Sequence, residues 1–165
     1  MELSEQRLQE MAARSEYGNG RLAAAATTLE SALFDGLTPA EVHAVLGAFD
    51  EQSFNAGHRV TLEGFRGREF YLITQGAAAV SIGDRRIAEL GPGDFFGEVA
   101  VLGDGLRSAT VTAATPLRCL VLSDDGLERL LVDHPRLGLN MLREVVTRFA
   151  DGNPKPATHL DAVSS

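Results

Sequence analysis

Apolar residues are spaced in two different ways along the chain, which divides it into a helical first third, a β-rich middle and a helical end. Near the start, Ser4 is placed to cap one helix, and a second predicted helix spans about Arg21 to Leu33. The run Thr38-Pro39-Ala40-Glu41 has the pattern of a capping box with proline at the first helical position. The helix that follows is predicted to carry four apolar residues on one face: Val42, Val45, Leu46 and Phe49.

Short β-type runs occupy the middle of the chain from about Glu51 onward, with turn signals every eight to ten residues. The runs of this kind are QSF, RVTLEGF, EFYLI, AAVSI, RIAEL, SATVTAA and LRCLVL. Glycine-rich turns separate several of them, and no part of the chain has the repeated strand and helix pattern of a parallel sheet. We therefore predict a mainly β domain, a small sandwich or roll.

Two helices are predicted to close the domain, one capped by Ser123 and one restarting at Pro135. The second carries an apolar stripe that suits either the core or a partner surface: Leu137, Met141, Leu142, Val145, Val146 and Phe149. A Gly-Asn-Pro run then stops it. We divide the chain into an N-terminal helical arm (1–20), one domain (21–150) and a flexible tail (151–165).

Composition and charge narrow the range of functions. The 165 residues carry a formal net charge of -8, whereas a nucleic-acid binder needs a basic face. The same acidity is unfavourable on anionic membranes, and no apolar run is long enough to span a bilayer. Cys119 is the single cysteine, so no internal disulfide forms and a buried apolar role is expected. The polar start MELSEQRLQEM does not resemble a secretion signal, which favours a cytoplasmic protein.

The segment FFGEVAVLGDGLRSATV, residues 95–111, holds one carboxylate and one guanidinium among small and apolar residues. Gly97 allows a tight turn or a close backbone approach, and free amides at the start of a short helix after it would attract an anion. Arg107 would bind the same anion through a forked, charge-assisted pair, and Ser108 adds a hydroxyl. One arginine without a nearby lysine suits a singly charged phosphate rather than a triphosphate.

Glu98 is unfavourable beside an anion unless the ligand also offers hydroxyl groups. A carboxylate accepts hydrogen bonds from hydroxyls, and a ribose 2′-OH is a natural donor. Dinucleotide sites use an acidic residue in the same way. A monoanionic phosphate close to a free 2′-OH accounts for Glu98 and Arg107 together, and a 3′,5′-cyclic nucleotide has that arrangement. The alternative for this pair of residues is a structural ion pair.

The same segment closely resembles the phosphate-binding cassette of cyclic nucleotide-binding domains, as in bacterial cAMP receptor proteins and the regulatory subunits of cAMP-dependent kinase. That cassette has F-G-E, an aliphatic residue, Ala, two apolar residues, a short loop, then Arg, a small residue, and Ala or Thr. Residues 96–110 meet this pattern. The resemblance continues upstream through LFDGLTPAEV, FNAGHRVTLEG, FYLITQG and LGPGDFFGE, and downstream through both closing helices. It covers about Leu33 to Ala150.

The resemblance implies an eight-stranded β-roll of the jelly-roll type, with N-terminal helices and two C-terminal helices, and a cyclic nucleotide as ligand. It implies that Glu98 and the Gly97 backbone hold the ribose 2′-OH. Arg107 and Ser108 would hold the cyclic phosphate together with the backbone of two alanines. The predicted ligand-binding residues are Phe96, Gly97, Glu98, Val99, Ala100, Arg107, Ser108 and Ala109. By the same resemblance, the serine at position 108, which many bacterial cAMP receptors carry, implies a preference for cAMP over cGMP.

The chain also departs from that family. DNA-binding members carry a helix-turn-helix after the last helix, and about fifteen residues after Ala150 are too few for one. Members also cover the base with a residue from the last helix or beyond it, where this chain has Gly152 and Pro154. The polar candidates for this lid are Thr147, Asn153 and His159. No sequence motif identifies which of these three residues would cover the base. The preference for one base therefore cannot be assigned from a lid residue.

The predicted function is therefore a regulatory sensor and not an enzyme, in which cyclic nucleotide binding rearranges the flanking helices. A protein partner or a fused effector domain would receive the signal, with a homodimer as a further option, and no cofactor or metal is expected. One alternative is a structural or interaction module of the same fold that has lost nucleotide binding. The other is a cupin-like metal site, which the scattered histidines do not favour: His43, His58, His134 and His159.

Overall fold

Eight antiparallel strands form two four-stranded sheets in the computed structural model, which describes residues 30–150. One sheet has the strand order β1-β8-β3-β6 and the other β2-β7-β4-β5. The strands are β1 Asp50–Phe54, β2 Arg59–Thr61, β3 Glu69–Gln75, β4 Ala78–Ile82, β5 Arg85–Leu90, β6 Phe95–Phe96, β7 Thr110–Ala113 and β8 Leu117–Ser123. The predicted mainly β fold with eight strands is confirmed.

The hydrophobic pattern located seven of these strands, although some are shorter than predicted. RVTLEGF is a strand only in its first three residues, because the chain then turns, with the Phe65 amide donating to the Leu62 carbonyl oxygen. The strand that the pattern missed is β6, whose two phenylalanines pair with Tyr71 and Leu72 of β3. Two residues are too few to show a hydrophobic period.

The first α-helix of the described residues, α1 (Pro39–Gly47), begins as its sequence predicts. The Thr38 hydroxyl accepts a hydrogen bond from the Glu41 amide, and the Glu41 carboxylate accepts one from the Thr38 amide. The capping box is therefore confirmed. The α-helix predicted up to Leu33 is wrong at its end, because Ala32–Phe34 is a 3₁₀ helix capped by the Ser31 hydroxyl. The rest of that predicted helix lies outside the described residues.

Three helices follow the strands or interrupt them. A short helix, α2 (Glu98–Leu102), lies between β6 and β7. The predicted closing helices are both confirmed as α3 (Asp124–Asp133) and α4 (Pro135–Ala150). The Ser123 hydroxyl caps α3 by accepting a hydrogen bond from the Gly126 amide.

The β1-β8-β3-β6 sheet is buried on both faces along β3, β6 and β8, whereas β1 at its edge is largely exposed. On one face it packs against the helices in a helix-side core that includes Phe70, Leu72 and Phe95. On the other face it packs against the second sheet, in an inter-sheet core that includes Tyr71 and Phe96. Successive residues of a strand point to opposite faces, so β3 and β6 contribute to both cores. β6, which leads directly into α2, is therefore buried in both cores.

Several sequence-based predictions concern residues outside this range or remain without a test. The N-terminal arm at 1–20 and the tail at 151–165 lie outside the described residues, and the proposed domain boundaries stay predictions. Within residues 30–150, no helix is both long and apolar enough to cross a bilayer. The same residues include no cluster of His, Cys, Asp and Glu that could hold a metal ion. Cys119 is buried, and burial raises the pKa of its thiol to about 12.

Candidate functional site

Gly97 turns the chain from β6 into α2. Its φ of 94° lies in the left-handed region that favours glycine. A Cβ at this position would lie 2.6 Å from the Glu69 carbonyl oxygen and 2.9 Å from Nη1 of Arg107. Position 97 therefore requires glycine both for its backbone conformation and for the close approach of two neighbouring segments.

Arg107 lies shortly before β7 and places its guanidinium against the start of α2. Its Nη1 donates to the Gly97 carbonyl oxygen at 3.3 Å, and its Nη2 lies 3.6 Å from Oε2 of Glu69. The guanidinium also lies over the Tyr71 ring, 5.8 Å from the ring centroid. Burial lowers the pKa of Arg107 from its ordinary value, although an arginine remains charged in a protein. The site therefore holds a buried positive charge.

Seven of the eight predicted binding residues line one small cavity. They are Phe96, Gly97, Val99, Ala100, Arg107, Ser108 and Ala109. Thr61 of β2 and Val111 of β7 also line it, and neither was predicted. The Thr61 hydroxyl donates to the Ala109 carbonyl oxygen and accepts from the Val111 amide, so β2 is held against this segment.

Glu98 is the predicted residue that does not line this cavity. Its side chain lies instead beside α4, with Oε1 4.0 Å from Nη1 of Arg148, and the residue is 3% exposed. No neighbouring group within residues 30–150 donates a hydrogen bond to either carboxylate oxygen. Burial raises the pKa of Glu98 to about 7, although the positive charges of Arg148 and Arg107 oppose this shift. In this arrangement, Glu98 and Arg107 therefore belong to different cavities.

Arg148, near the end of α4, is a buried partner that the sequence analysis missed. Its Nη1 donates to the Phe95 carbonyl oxygen at 3.3 Å, and its guanidinium lies 4.3 Å from the centroid of the Phe95 ring. Its Nε lies 3.6 Å from Oε1 of Glu144, one helical turn earlier. A signal was present, because Arg148 follows Met141 by seven residues and Val145 by three. It therefore lies on the apolar stripe of α4, where a charge needs a buried partner.

A larger groove separates α2 from α3 and α4. Glu98 lines it with mostly apolar residues, including Leu102, Leu131, Met141, Leu142 and Val145. Leu102 is largely exposed, whereas its neighbour Val101 packs against the helix-side core. The face of α2 that is turned toward α3 and α4 is therefore loosely packed. The Glu98–Arg148 pair connects α2 to α4 across this groove.

Two further residues fix the position of Arg107 from the segment around the start of β3. The Gly67 amide donates to the Gly105 carbonyl oxygen at 2.9 Å, and a Cβ on Gly67 would overlap Nε and Cζ of Arg107. Glu69, the first residue of β3, supplies the ion pair to Arg107. Sequence reasoning missed both residues, because these contacts join segments that are far apart in the chain.

A sequence profile of the cyclic nucleotide-binding domain matches residues 51–134, half of the chain. The chain belongs to the cyclic nucleotide-binding domain family. This domain is 39% identical over 98 residues to a cGMP-dependent protein kinase from Eimeria tenella. It is 46% identical over 85 residues to a cAMP-dependent protein kinase regulatory subunit from Eremothecium gossypii. These matches cover 59% and 51% of this chain, and 10% and 19% of the relatives, so the chain spans a small part of the proteins that it matches.

Solved structures share the fold of this cyclic nucleotide-binding domain. The catabolite activator protein of Thermus thermophilus gives a TM-score of 0.69 at 29% identity, with 81% of this chain and 63% of that chain covered. The regulatory domain of Toxoplasma gondii PKA, solved with cAMP, gives a TM-score of 0.60 at 26% identity, with 71% and 46% covered. The similarity to both structures extends beyond the cassette.

Proposed function

We propose that this domain binds a 3′,5′-cyclic nucleotide and reports the binding through its last helix. The observation that carries the proposal is the buried Arg107 guanidinium in a cavity otherwise lined by small or apolar residues. A guanidinium fork matches the oxygens of a phosphate group, and one arginine balances the single charge of a cyclic phosphate. Membership of the family supports the same ligand class.

In the proposed complex, the cyclic phosphate lies between Arg107 and the cassette backbone. Ser108 would add its hydroxyl, and the backbone of Ala100 and Ala109 would complete the phosphate contacts. Phe96, Gly97 and Val99 would form the adjoining wall, as they already line the cavity. Glu98 would accept a hydrogen bond from the ribose 2′-OH. No residue is assigned a catalytic role.

The position of Glu98 links nucleotide binding to α4. To reach a ribose near Arg107, the Glu98 carboxylate must leave its 4.0 Å pairing with Arg148. Arg148 would then be a buried cation whose remaining carboxylate partner is Glu144 on its own helix. Since an unpaired buried charge is costly, the end of α4 would shift to restore its solvation or pairing. Nucleotide would thus favour a second arrangement of α2 and α4, which is a population shift.

The signal would pass to a protein partner or a fused effector domain through the exposed part of α4. The predicted apolar stripe divides between two roles, with Leu137 and Met141 buried in the helix-side core. Leu142 and Val146 are exposed, as is Leu139 one turn before Leu142. These exposed side chains favour a protein contact, and a homodimer would be one form of it.

We further propose a preference for cAMP over cGMP, based on Ser108. The base lid has no assigned residue. Thr147 is exposed and its hydroxyl donates to the Arg143 carbonyl oxygen, one turn earlier on the same helix. The other two lid candidates, Asn153 and His159, lie outside the described residues.

Calorimetric titration of cAMP and cGMP into the purified domain tests the proposed function. Bound nucleotide is first removed by unfolding and refolding, and 5′-AMP serves as a control because its phosphate carries more charge and is not cyclic. We expect saturable binding of both cyclic nucleotides at micromolar protein, tighter for cAMP, and weak binding of 5′-AMP. No heat with either cyclic nucleotide would instead support the alternative, a module of this fold that has lost nucleotide binding.

Replacing Gly67 with alanine is expected to weaken cAMP binding while leaving the fold intact. The new methyl group would overlap the Arg107 side chain, which can rotate away because it is long and flexible. Loss of one charge-assisted hydrogen bond corresponds to a decrease in affinity of roughly tenfold or more. Gly91→Ala is the matched control, because nothing lies within 4 Å of a Cβ there. An unchanged affinity in Gly67→Ala, measured by calorimetry, would contradict the role given to Arg107.

A further inference from the structure

The Glu69 carboxylate lies outside the cassette but within ion-pair distance of the proposed phosphate-binding arginine. Its Oε2 is 3.6 Å from Nη2 of Arg107. The side chain of Glu69 is 51% exposed and that of Arg107 is 6% exposed, so the pair joins a half-exposed acid to a buried base. Among the ion pairs of residues 30–150, this is the one that involves Arg107.

Arg107 needs a compensating negative charge, because burial disfavours its charged form. In the arrangement seen here, Glu69 supplies it at close range, whereas Glu98 has the smaller effect on Arg107 and faces α4. A cyclic phosphate placed on the same guanidinium would supply a second negative charge. Two anions beside one guanidinium leave the local site with a net negative charge, and their repulsion opposes binding.

We propose that Glu69 is an internal counter-ion that competes with the cyclic phosphate for Arg107 and thereby lowers the affinity of the site. The inference rests on the proposed nucleotide-binding function. Phosphate entry displaces the Glu69 carboxylate into solvent, which its half-exposed position allows. The free energy of the broken ion pair is then subtracted from the free energy of nucleotide binding.

The geometry also explains why Glu69 and not another acid has this role. Its backbone carbonyl oxygen lies against Gly97, since a Cβ on Gly97 would be only 2.6 Å away. The start of β3 is thus held close to the start of α2, with the Arg107 guanidinium beside both. A side chain at position 69 therefore reaches the guanidinium while remaining open to water.

The test compares the wild-type domain with Glu69→Gln, which keeps the shape of the side chain and removes its charge. Calorimetry with cAMP is expected to show an affinity roughly three- to tenfold higher in the variant, because a partly exposed ion pair has only modest strength. Thermal unfolding without nucleotide is expected at a lower temperature, because Arg107 has lost its counter-ion. Glu89→Gln is the matched control, since Glu89 pairs with Arg86 on β5 and is also exposed.

The opposite changes in affinity and stability identify the counter-ion role. A residue that merely supports the fold would lower both quantities when it is replaced. An unchanged or weaker affinity in Glu69→Gln, with normal binding by the wild type, overturns the proposal for Glu69 and leaves the proposed function in place. Absence of cAMP binding by the wild type and the variant overturns both.

Discussion

Replacing Arg107 with alanine is expected to lower the affinity for cAMP roughly a hundred- to ten-thousandfold. The variant loses two charge-assisted hydrogen bonds, each worth about 1.5–3 kcal/mol, and leaves the phosphate without a cation. No other basic side chain within residues 30–150 lines the cavity, so none can take over. Calorimetric titration of the wild type and the variant measures the ratio.

Two further variants make this result specific. Arg85→Ala removes an exposed arginine at the start of β5 and is expected to leave the affinity unchanged. Arg107→Lys keeps the charge but lacks the planar fork, so its affinity is expected between those of the wild type and Arg107→Ala. Circular dichroism checks that each variant is folded. An affinity of folded Arg107→Ala within about threefold of the wild type would place the phosphate elsewhere.

The affinity for cAMP is expected to rise between about pH 5.5 and 7.5 and then to level off, because in the proposed complex Glu98 must be ionised to bind the ribose 2′-OH strongly. Burial raises the pKa of Glu98 to about 7, so binding below that pH first requires removal of its proton. The affinity would fall by a factor approaching about ten for each pH unit below the pKa. Glu98→Gln is expected to bind more weakly, with a flat pH profile. A wild-type profile that is equally flat would contradict the role of Glu98.

The same ionisation can be measured without nucleotide, which separates it from binding. The ordinary pKa of the carboxyl is 4.5, and it is about 7 in the folded domain, so the folded state binds more protons between these values. By linkage, the free energy of unfolding decreases as pH rises through this window. Urea unfolding near pH 5 and pH 7.5 measures the decrease, which Glu98→Gln should reduce. An equal pH dependence in the variant would assign the titration to other groups.

The cassette could be predicted from the sequence because its residues are nearly consecutive. The backbone of Gly97 and the small residues around Arg107 carry a local pattern, and the structure brings them to one cavity. Seven strands could be predicted for a similar reason, since each lies in a run of β-type residues bounded by turn signals, whereas β6 is too short to show one. The cassette and the strands depend on local sequence patterns, each contained in a short stretch of the chain.

The electrostatic partners of the cassette could not be predicted in this way. Glu98 was assigned to a ribose from its charge and from the family resemblance, but which face of α2 holds its side chain depends on the packing of α4. Arg148 and Glu69 each act across long sequence separations, through a helix and a strand whose relative positions a sequence pattern does not specify. The burial of Arg148 could nevertheless have been predicted from the sequence, because Arg148 occupies a position of the apolar stripe.

The two-residue strand β6 anchors the start of the cassette in both cores. Phe95 is buried in the helix-side core and Phe96 in the inter-sheet core, so neither ring can shift without opening a packed interior. The segment that enters α2 is therefore anchored, whereas the loop after Leu102 contains glycines and is exposed at Gly103. Gly97 is therefore the point about which α2 would rotate. A small rotation there gives the largest displacement to Leu102, the side chain at the edge of the groove that faces α4.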